Sequence, residues 1–342
     1  MSLKQSLTPE GASAALTGAR AWILTDGKAG DAAQCAGVAE RLGLNAEARV
    51  VNPRALFALL MPFGPIDPRD APGKSGSPVA GPYPDIVIAS GRRAAPYVKA
   101  VKRASGGRTF TVILKDPRTG AGSADFLWVP RHDRLRGENV LATLTSPHRF
   151  SPDVLAQARA EHWLASPVQP RGNDAAIPST VVLLIGGDSK NHRFTETDIA
   201  RLCDGLEKMT ARGFRVLATP SRRTPLRLAA RTREIVLKAG GFWYDGQGPN
   251  PYPRLLAVAD AFVITADSVN MLGEAAATGK AIYVFEPSGG TRKTRAFLSG
   301  LEQAGATRPF TGEAEFFTYK PIDSTPEIAA ALASAYLRFK SR

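Results

Sequence analysis

Short apolar runs that alternate with helix-patterned stretches constrain this chain more than any other feature. RAWILTD, NAEARVVNP, DIVIAS, TFTVILKD, DFLWVPRHD and NVLATL follow one another through the first half, with helical patterns such as AAQCAGVAERLGL between them. TVVLLIGG, FRVLATPS, GFWYDG, DAFVIT and AIYVFEP repeat the scheme in the second half, again separated by helices. Strands joined by helices run parallel, and strands that are apolar throughout are covered on both faces. The alternation predicts an α/β fold with two Rossmann-like, doubly wound parallel-sheet domains.

The halves echo each other. Each opens with an apolar strand running into a glycine loop, Gly27 to Asp31 in one and Gly186 to Lys190 in the other. Each also carries an Asp-led strand and helix of one design, DIVIASGRRAAPYVKA and DAFVITADSVNMLGEA. The expectation is two similar lobes facing a central cleft. The expected boundaries are a flexible tail at 1–19, an N-terminal domain at 20–165, a polar, proline-containing linker at 166–179 and a C-terminal domain at 180–322. A terminal helix at 323–342 is expected to pack back on the first domain. Thr195 followed by Asp198 has the form of a capping box.

At 342 residues the chain is long for a single core. The formal net charge of +13 points to an anionic partner. The two cysteines, Cys35 and Cys203, match no metal or redox spacing and read as core residues. No run reaches the roughly 18 apolar residues of a membrane span, and the N-terminus lacks a signal-like apolar stretch, so a cytoplasmic protein is expected. Aromatic residues are sparse near the basic pairs and no nucleic-acid-binding module is visible, so nucleic acid is not an expected partner.

Cofactor motifs fail on spacing. No loop has the Gly-x-Gly-x-x-Gly of a dinucleotide site, and GEAAATGKA places one residue too many between its glycines for a P-loop. There is no Asp-x-Asp, and the four histidines lack ligand spacing. No metal or cofactor is expected, which leaves recognition of phosphate without metal. In GGDSKN, the amides around Gly186 and Gly187 point toward an anion at a helix start, joined by the Ser189 hydroxyl and the Lys190 charge. TPSRRTP adds Ser221, Arg222 and Arg223 at the next strand end, where guanidiniums clamp phosphate oxygens. The plain alternative is a pair of tight turns with solvated basic residues. After the strand ending at Thr265, Ser268, Asn270 and Met271 open a helix on which Glu274 is placed to accept both hydroxyls of a ribose. Asn250, in GQGPNPYPRLL, is a candidate reader of a base edge.

The unit TADSVNMLGEAAATGK resembles the donor site of GT-B glycosyltransferases, in which a helix glutamate binds the donor ribose. TDGKAGDAAQ, PDIVIASGRRAAPYVKA, TFTVILKDPR, IGGDSKNHRF, TPSRRTP and NPYPRLLAVADAFVITADSVNMLGEAAATGKAIYV together resemble the family named for a plant mitochondrial fission protein. Its bacterial relatives often carry a predicted nucleoside-diphosphate-sugar epimerase label. Lys115 stands where that pattern would have glutamine. The resemblance implies a GT-B-like fold whose first domain supplies the acceptor side and a catalytic base. Asp31 is then the candidate base, with Asp26 and Asp116 behind it; a helix N-cap is the alternative for Asp31. Lys28 would meet the donor phosphates, and Gly27, Gly30, Ser90, Gly91, Arg92 and Arg93 would border the acceptor.

The leading expectation is a metal-independent transferase that moves sugar from a UDP- or GDP-sugar to a polar or lipid-linked acceptor. Epimerisation of the same donor and a non-catalytic scaffold are the alternatives. RALFALLMPFGP, residues 54–65, is expected to be a helix packed on the sheet; the alternative is peripheral contact with an anionic membrane, the inner membrane in a bacterium.

Overall fold

The computed structural model describes residues 11, 14, 16–161 and 179–342. Most of the expected tail and nearly all of the expected linker lie outside the described residues. Leu16, within the stretch read as tail, is buried in the core. The chain divides into two compact units, one formed by Met1–Arg149 with Ser324–Arg342 and the other by Phe150–Asp323.

The first unit contains β1 (Arg20–Thr25), α1 (Ala29–Arg41), β2 (Asn45–Val50), α2 (Ala55–Leu60), β3 (Ile86–Ser90), α3 (Ala95–Ala104), β4 (Phe110–Leu114), β5 (Phe126–Pro130) and β6 (Val140–Thr143). The second begins with α4 (Pro152–Ala160) and continues through β7 (Thr180–Ile185), β8 (His192–Arg193), α5 (Glu196–Ala211), β9 (Arg215–Pro220), α6 (Leu226–Lys238), β10 (Phe242–Trp243) and α7 (Tyr252–Val258). It ends with β11 (Ala261–Thr265), α8 (Val269–Ala276), β12 (Ala281–Phe285), β13 (Ser288–Gly289), α9 (Arg292–Gln303) and β14 (Thr307–Pro309). The last helix, α10 (Thr325–Lys340), returns to the first unit.

Both large sheets are parallel, in the orders β2-β1-β3-β4-β5-β6 and β10-β9-β7-β11-β12-β14. Numbered by their own six strands, the orders are 2-1-3-4-5-6 and 3-2-1-4-5-6. Each reverses direction at its first strand, between β1 and β3 in one and between β7 and β11 in the other. Ligands in open parallel sheets bind outside the carboxyl ends of the strands at such a reversal. β8 and β13 form a separate antiparallel pair.

Two-sided burial explains why the strands read as unbroken apolar runs. In the first unit Ile23, Ile86, Ile88, Val112 and Trp128 pack on one face with α1 and α10. Their neighbours Trp22, Leu24, Val87, Ile113 and Leu127 pack on the other with α3. Cys35 and Cys203 are buried thiols, and burial pushes the Cys35 thiol up.

Two segments differ from expectation. The helix at 152–160 lies inside the range assigned to the first domain, yet it packs on α7 of the second unit, with Arg159 Nε donating to the Ala257 carbonyl at 2.9 Å. The stretch 54–65 packs on the sheet by one face only. Ala58 and Met61 are buried with Phe57 against them, whereas Leu56, Leu59, Leu60 and Phe63 are exposed.

Candidate functional site

In the second unit, the loop after β7 is drawn tight over the end of the sheet. The Gly186 amide donates to Thr265 Oγ1 at 2.7 Å and the Gly187 amide to Asp267 Oδ2 at 2.8 Å. The Asp188 amide donates to the Arg223 carbonyl and the Ser189 amide to the His192 carbonyl. Ser189 Oγ itself accepts from the amides of Asn191 and His192. A Cβ on Gly186 would stand 2.1 Å from an Asp267 oxygen, and one on Gly187 2.0 Å from the Arg223 carbonyl oxygen. These glycines let three loops meet with almost no space between them. The sequence reading of their amides as a phosphate cradle is corrected on this point, because the amides of residues 186–189 all donate within the protein.

Asp267 organises the cluster, and sequence reasoning missed it. Its side chain is fully buried. It accepts from the Thr265 hydroxyl at 2.7 Å and from the Gly187 amide, and it pairs with Arg223 at 3.3 Å. Its signal was an acid two residues beyond a strand end at the sheet reversal, inside a motif read for its serine and asparagine.

The remaining anion-binding groups are side chains. Lys190 and Arg222 are exposed, and neither makes an ion pair or side-chain hydrogen bond among the described residues. Arg223 is half-exposed but engaged at both terminal nitrogens, one on Asp267 and the other donating to the Asp188 carbonyl, each at 3.3 Å. Ser221 belongs to its own turn, where Oγ accepts from the Arg223 amide and lies 3.2 Å from Thr224 Oγ1. A further loop, unremarked in the sequence, docks beside them: the Gly290 amide donates to the Asn191 carbonyl at 2.7 Å. Gly289 and Gly290 adopt φ of +105° and +97°, which favours glycine. Arg295, in the first turn of α9, lies beside Gly290, 4.0 Å from where a Gly290 Cβ would stand, and that helix has no acid in its first turn.

Glu274 is partly buried in the second half of α8, beyond the first turn that Asn270 and Met271 occupy. The Tyr252 hydroxyl donates to its Oε2. Burial pushes the carboxyl up to about 7, against the lowering effect of the tyrosine bond. Burial and the adjacent Glu274 charge hold the Tyr252 hydroxyl well above its ordinary range. Tyr252 was quoted in the sequence but given no role. Asn250 Oδ1 accepts from the Tyr252 amide at 3.1 Å and so shapes the turn into α7. Ser268 occupies the N-cap of α8 without a side-chain cap bond, and Asn270 and Met271 lie partly buried in its first turn. From Val269 to Glu274 the helix rises by about 8 Å, which separates the Glu274–Tyr252 pair from the Asp267 cluster.

The first unit carries its own cluster at the β1/β3 reversal. Asp31 sits in the first turn of α1, whose N-cap is Lys28, so the N-cap alternative for Asp31 is corrected. Its carboxylate instead accepts from Ser90 Oγ at 3.1 Å and is ion-paired with Lys115. Lys115 adopts φ of +77°. A non-glycine residue costs about 1 kcal/mol there and persists only where its surroundings hold it. Lys28 pairs with Asp26 at 2.6 Å, and Asp26 Oδ1 is buried without a hydrogen-bond partner. Gly91, at φ +89°, leaves room for both acids, since a Cβ there would lie 3.3 Å from Asp31 Oδ2 and 3.8 Å from Asp26 Oδ1. Gly27 turns the chain at φ +81°, and Gly30 lies in the first turn of α1. Asp116 stays apart, its Oδ1 accepting from the Arg118 amide at 2.8 Å. Arg92 is exposed and Arg93 partly buried.

Among the described residues no group of three or more His, Cys, Asp and Glu side chains could hold a metal, and no helix is long and apolar enough to cross a membrane.

Comparison with solved structures aligns the chain with Acinetobacter baumannii MurG at 14% identity and a TM-score of 0.45, covering 95% of each chain. It aligns with the UDP-GlcNAc 2-epimerase of Methanocaldococcus jannaschii at 10% identity and a TM-score of 0.49, covering 94% of this chain and 92% of that one. In sequence, it is 30% identical over 281 residues to the mitochondrial fission protein ELM1 of Arabidopsis thaliana, covering 73% of this chain and 63% of that protein. It is 30% identical over 163 residues to the uncharacterized protein RP120 of Rickettsia prowazekii, covering 45% of this chain and 46% of the relative. The matched part thus spans less than two thirds of either relative. The family model for mitochondrial fission ELM1 matches residues 29–336, and the chain belongs to that family.

Proposed function

We propose that the second unit binds a nucleoside-diphosphate sugar, a UDP- or GDP-sugar, at the carboxyl edge of its sheet, and that the protein transfers the sugar to a hydroxyl-bearing acceptor. The observation that carries this reading is the pair of cations at the strand ends beside the β7/β11 reversal, Lys190 and Arg222, which make no ion pair or side-chain hydrogen bond among the described residues; Arg223 beside them is tied into the loops by Asp267 and the Asp188 carbonyl. Guanidiniums there would neutralise the charge that grows on the departing diphosphate, the role a metal plays elsewhere. Glu274 would take the ribose hydroxyls on its Oε1, because Oε2 is held by Tyr252. Asp31 would serve as the base that deprotonates the acceptor, once its pairing with Lys115 is exchanged for the acceptor hydroxyl.

A second reading, a scaffold without transfer chemistry, is favoured by the committed amides of residues 186–189, which leave the diphosphate to side chains alone. Thermal shift with UDP, GDP, ADP and their sugars separates the two. Binding predicts stabilisation by one nucleotide class that Arg222→Ala weakens, and stabilisation by none of them would leave the scaffold. Incubating the donor that binds without any acceptor tests epimerisation, since conversion to its epimer under those conditions would replace transfer as the reaction.

A further inference from the structure

The segment from Arg54 to Ile66 has two apolar faces, and only one is used inside the protein. Phe57 and Met61 turn into the core beside α3, and Ala58 between them is buried. Leu56, Leu59 and Leu60, at spacing i, i+3 and i+4, form the opposite face of α2, and Phe63 follows in the turn beyond it, its amide donating to the Leu60 carbonyl; the four are 65%, 75%, 49% and 77% exposed. A soluble helix normally presents polar residues there. A cluster of large apolar side chains on a surface marks an interaction site. Tight packing holds the cluster in place: a Cβ on Gly64 would lie 2.6 Å from Leu60 Cβ, so the chain folds closely back on the helix after Pro62.

The surroundings are cationic. Phe63 borders a hollow of about 680 Å3 that Lys99 and Arg103 of α3 also line. Neither of these cations makes an ion pair or side-chain hydrogen bond among the described residues. Arg54 and Arg69 share a single buried carboxylate, Asp67, and the neighbouring Asp70 accepts from the Tyr97 hydroxyl. The uncompensated charge beside the apolar face is therefore that of Lys99 and Arg103, and the two arginines on Asp67 leave one further positive charge nearby in the chain.

We propose that this face is a docking surface for an anionic lipid bilayer, with Leu56, Leu59, Leu60 and Phe63 entering the headgroup–acyl boundary and Lys99 and Arg103 meeting lipid phosphates. Apolar burial and cation attraction supply the two signals that stable peripheral binding requires. Charge argues against a second copy of the chain as the occupant, because a self-complementary contact would set one cationic rim against another. The inference does not depend on nucleotide binding.

Co-sedimentation of the full chain with vesicles tests it. Binding is expected to phosphatidylcholine vesicles containing about 30 mol % phosphatidylglycerol, and to fall as salt rises. Leu59→Ser with Phe63→Ser should lower partitioning roughly tenfold or more, since both side chains leave the lipid. Lys99→Glu with Arg103→Glu should lower binding to anionic vesicles by a similar factor, roughly tenfold. All four positions lie outside the nucleotide-sugar site, so any nucleotide-induced thermal shift should persist in both variants. Wild-type protein that stays in the supernatant with these vesicles would overturn the proposal. So would undiminished binding by the Leu59→Ser/Phe63→Ser variant, or a wild-type dimer that this variant disperses.

Discussion

At the scale of single residues, Glu274 makes the sharpest claim. Its folded carboxyl titrates near 7 against an ordinary value of 4.5, so the folded state holds a proton that the unfolded chain has already released between those values. Stability is therefore full below about pH 4.5 and falls as pH rises through about 7, by on the order of 3 kcal/mol. Denaturant unfolding of wild type and Glu274→Gln at pH 5 and pH 8 should show a drop in the wild type that the glutamine variant lacks. An equal drop in both would place the titration elsewhere. Gly187 makes a steric claim. A Cβ there meets the backbone carbonyl of Arg223, which has no flexible end to move aside, so Gly187→Ala is expected to destabilise by about 1–3 kcal/mol. Gly73, which has nothing within 4 Å of its would-be Cβ, should tolerate alanine to within about 0.5 kcal/mol. Comparing the two melting temperatures checks the argument.

At the scale of elements, the start of α5 couples a cap to a hairpin. Thr195 Oγ1 accepts from the Asp198 amide, and the Asp198 carboxylate accepts in return from the Thr195 amide, the reciprocal box expected from the sequence. The same carboxylate also accepts from the Ser288 amide at 3.0 Å, which fastens β13 beside the glycine loop. Thr195→Ala should therefore cost about 1 kcal/mol of helix capping alone. Asp198→Ala should cost more and also raise amide exchange across Ser288–Gly290, a readout the threonine variant would not move. What was legible at this scale follows from range. β1, β3, β4, β7 and β11 could be read because two-sided burial writes itself into consecutive residues. The short β8, β13 and β14 could not, because two or three residues carry no period and their pairing is decided by distant strands. The sites divide in the same way. Arg222 just past a strand end, Asp31 at a helix start and Glu274 on the helix after a strand were visible locally. The pairing of Lys115 with Asp31, the Asp267–Gly187 closure and the Tyr252–Glu274 bond join residues far apart in the chain and had no local signature.

At the scale of the whole molecule, the chain leaves the first unit at Arg149 and comes back to it at Ser324. The returning helix α10 is part of the core rather than an attachment. Ile328, Leu332 and Tyr336 are buried against α1 and the sheet, and Tyr336 meets Phe110 edge-on at 5.6 Å between ring centroids. The Ser324 amide and hydroxyl also bond to Thr145 Oγ1, and the His148 amide donates to Thr325 Oγ1. Burying three side chains of this size contributes roughly 5–8 kcal/mol, against a total stability of about 5–15 kcal/mol for a domain. Truncation after Asp323 should therefore unfold the first unit while leaving the second folded, because Phe150–Asp323 retains all of its own sheet. Hydrogen exchange on the truncated protein distinguishes the units directly. The amides of β1, β3 and β4 should lose protection while those of β7, β11 and β12 keep it. Loss of protection in both sets together would mean that the two units fold as one cooperative body, and retention in both would mean that α10 contributes little to the core it enters.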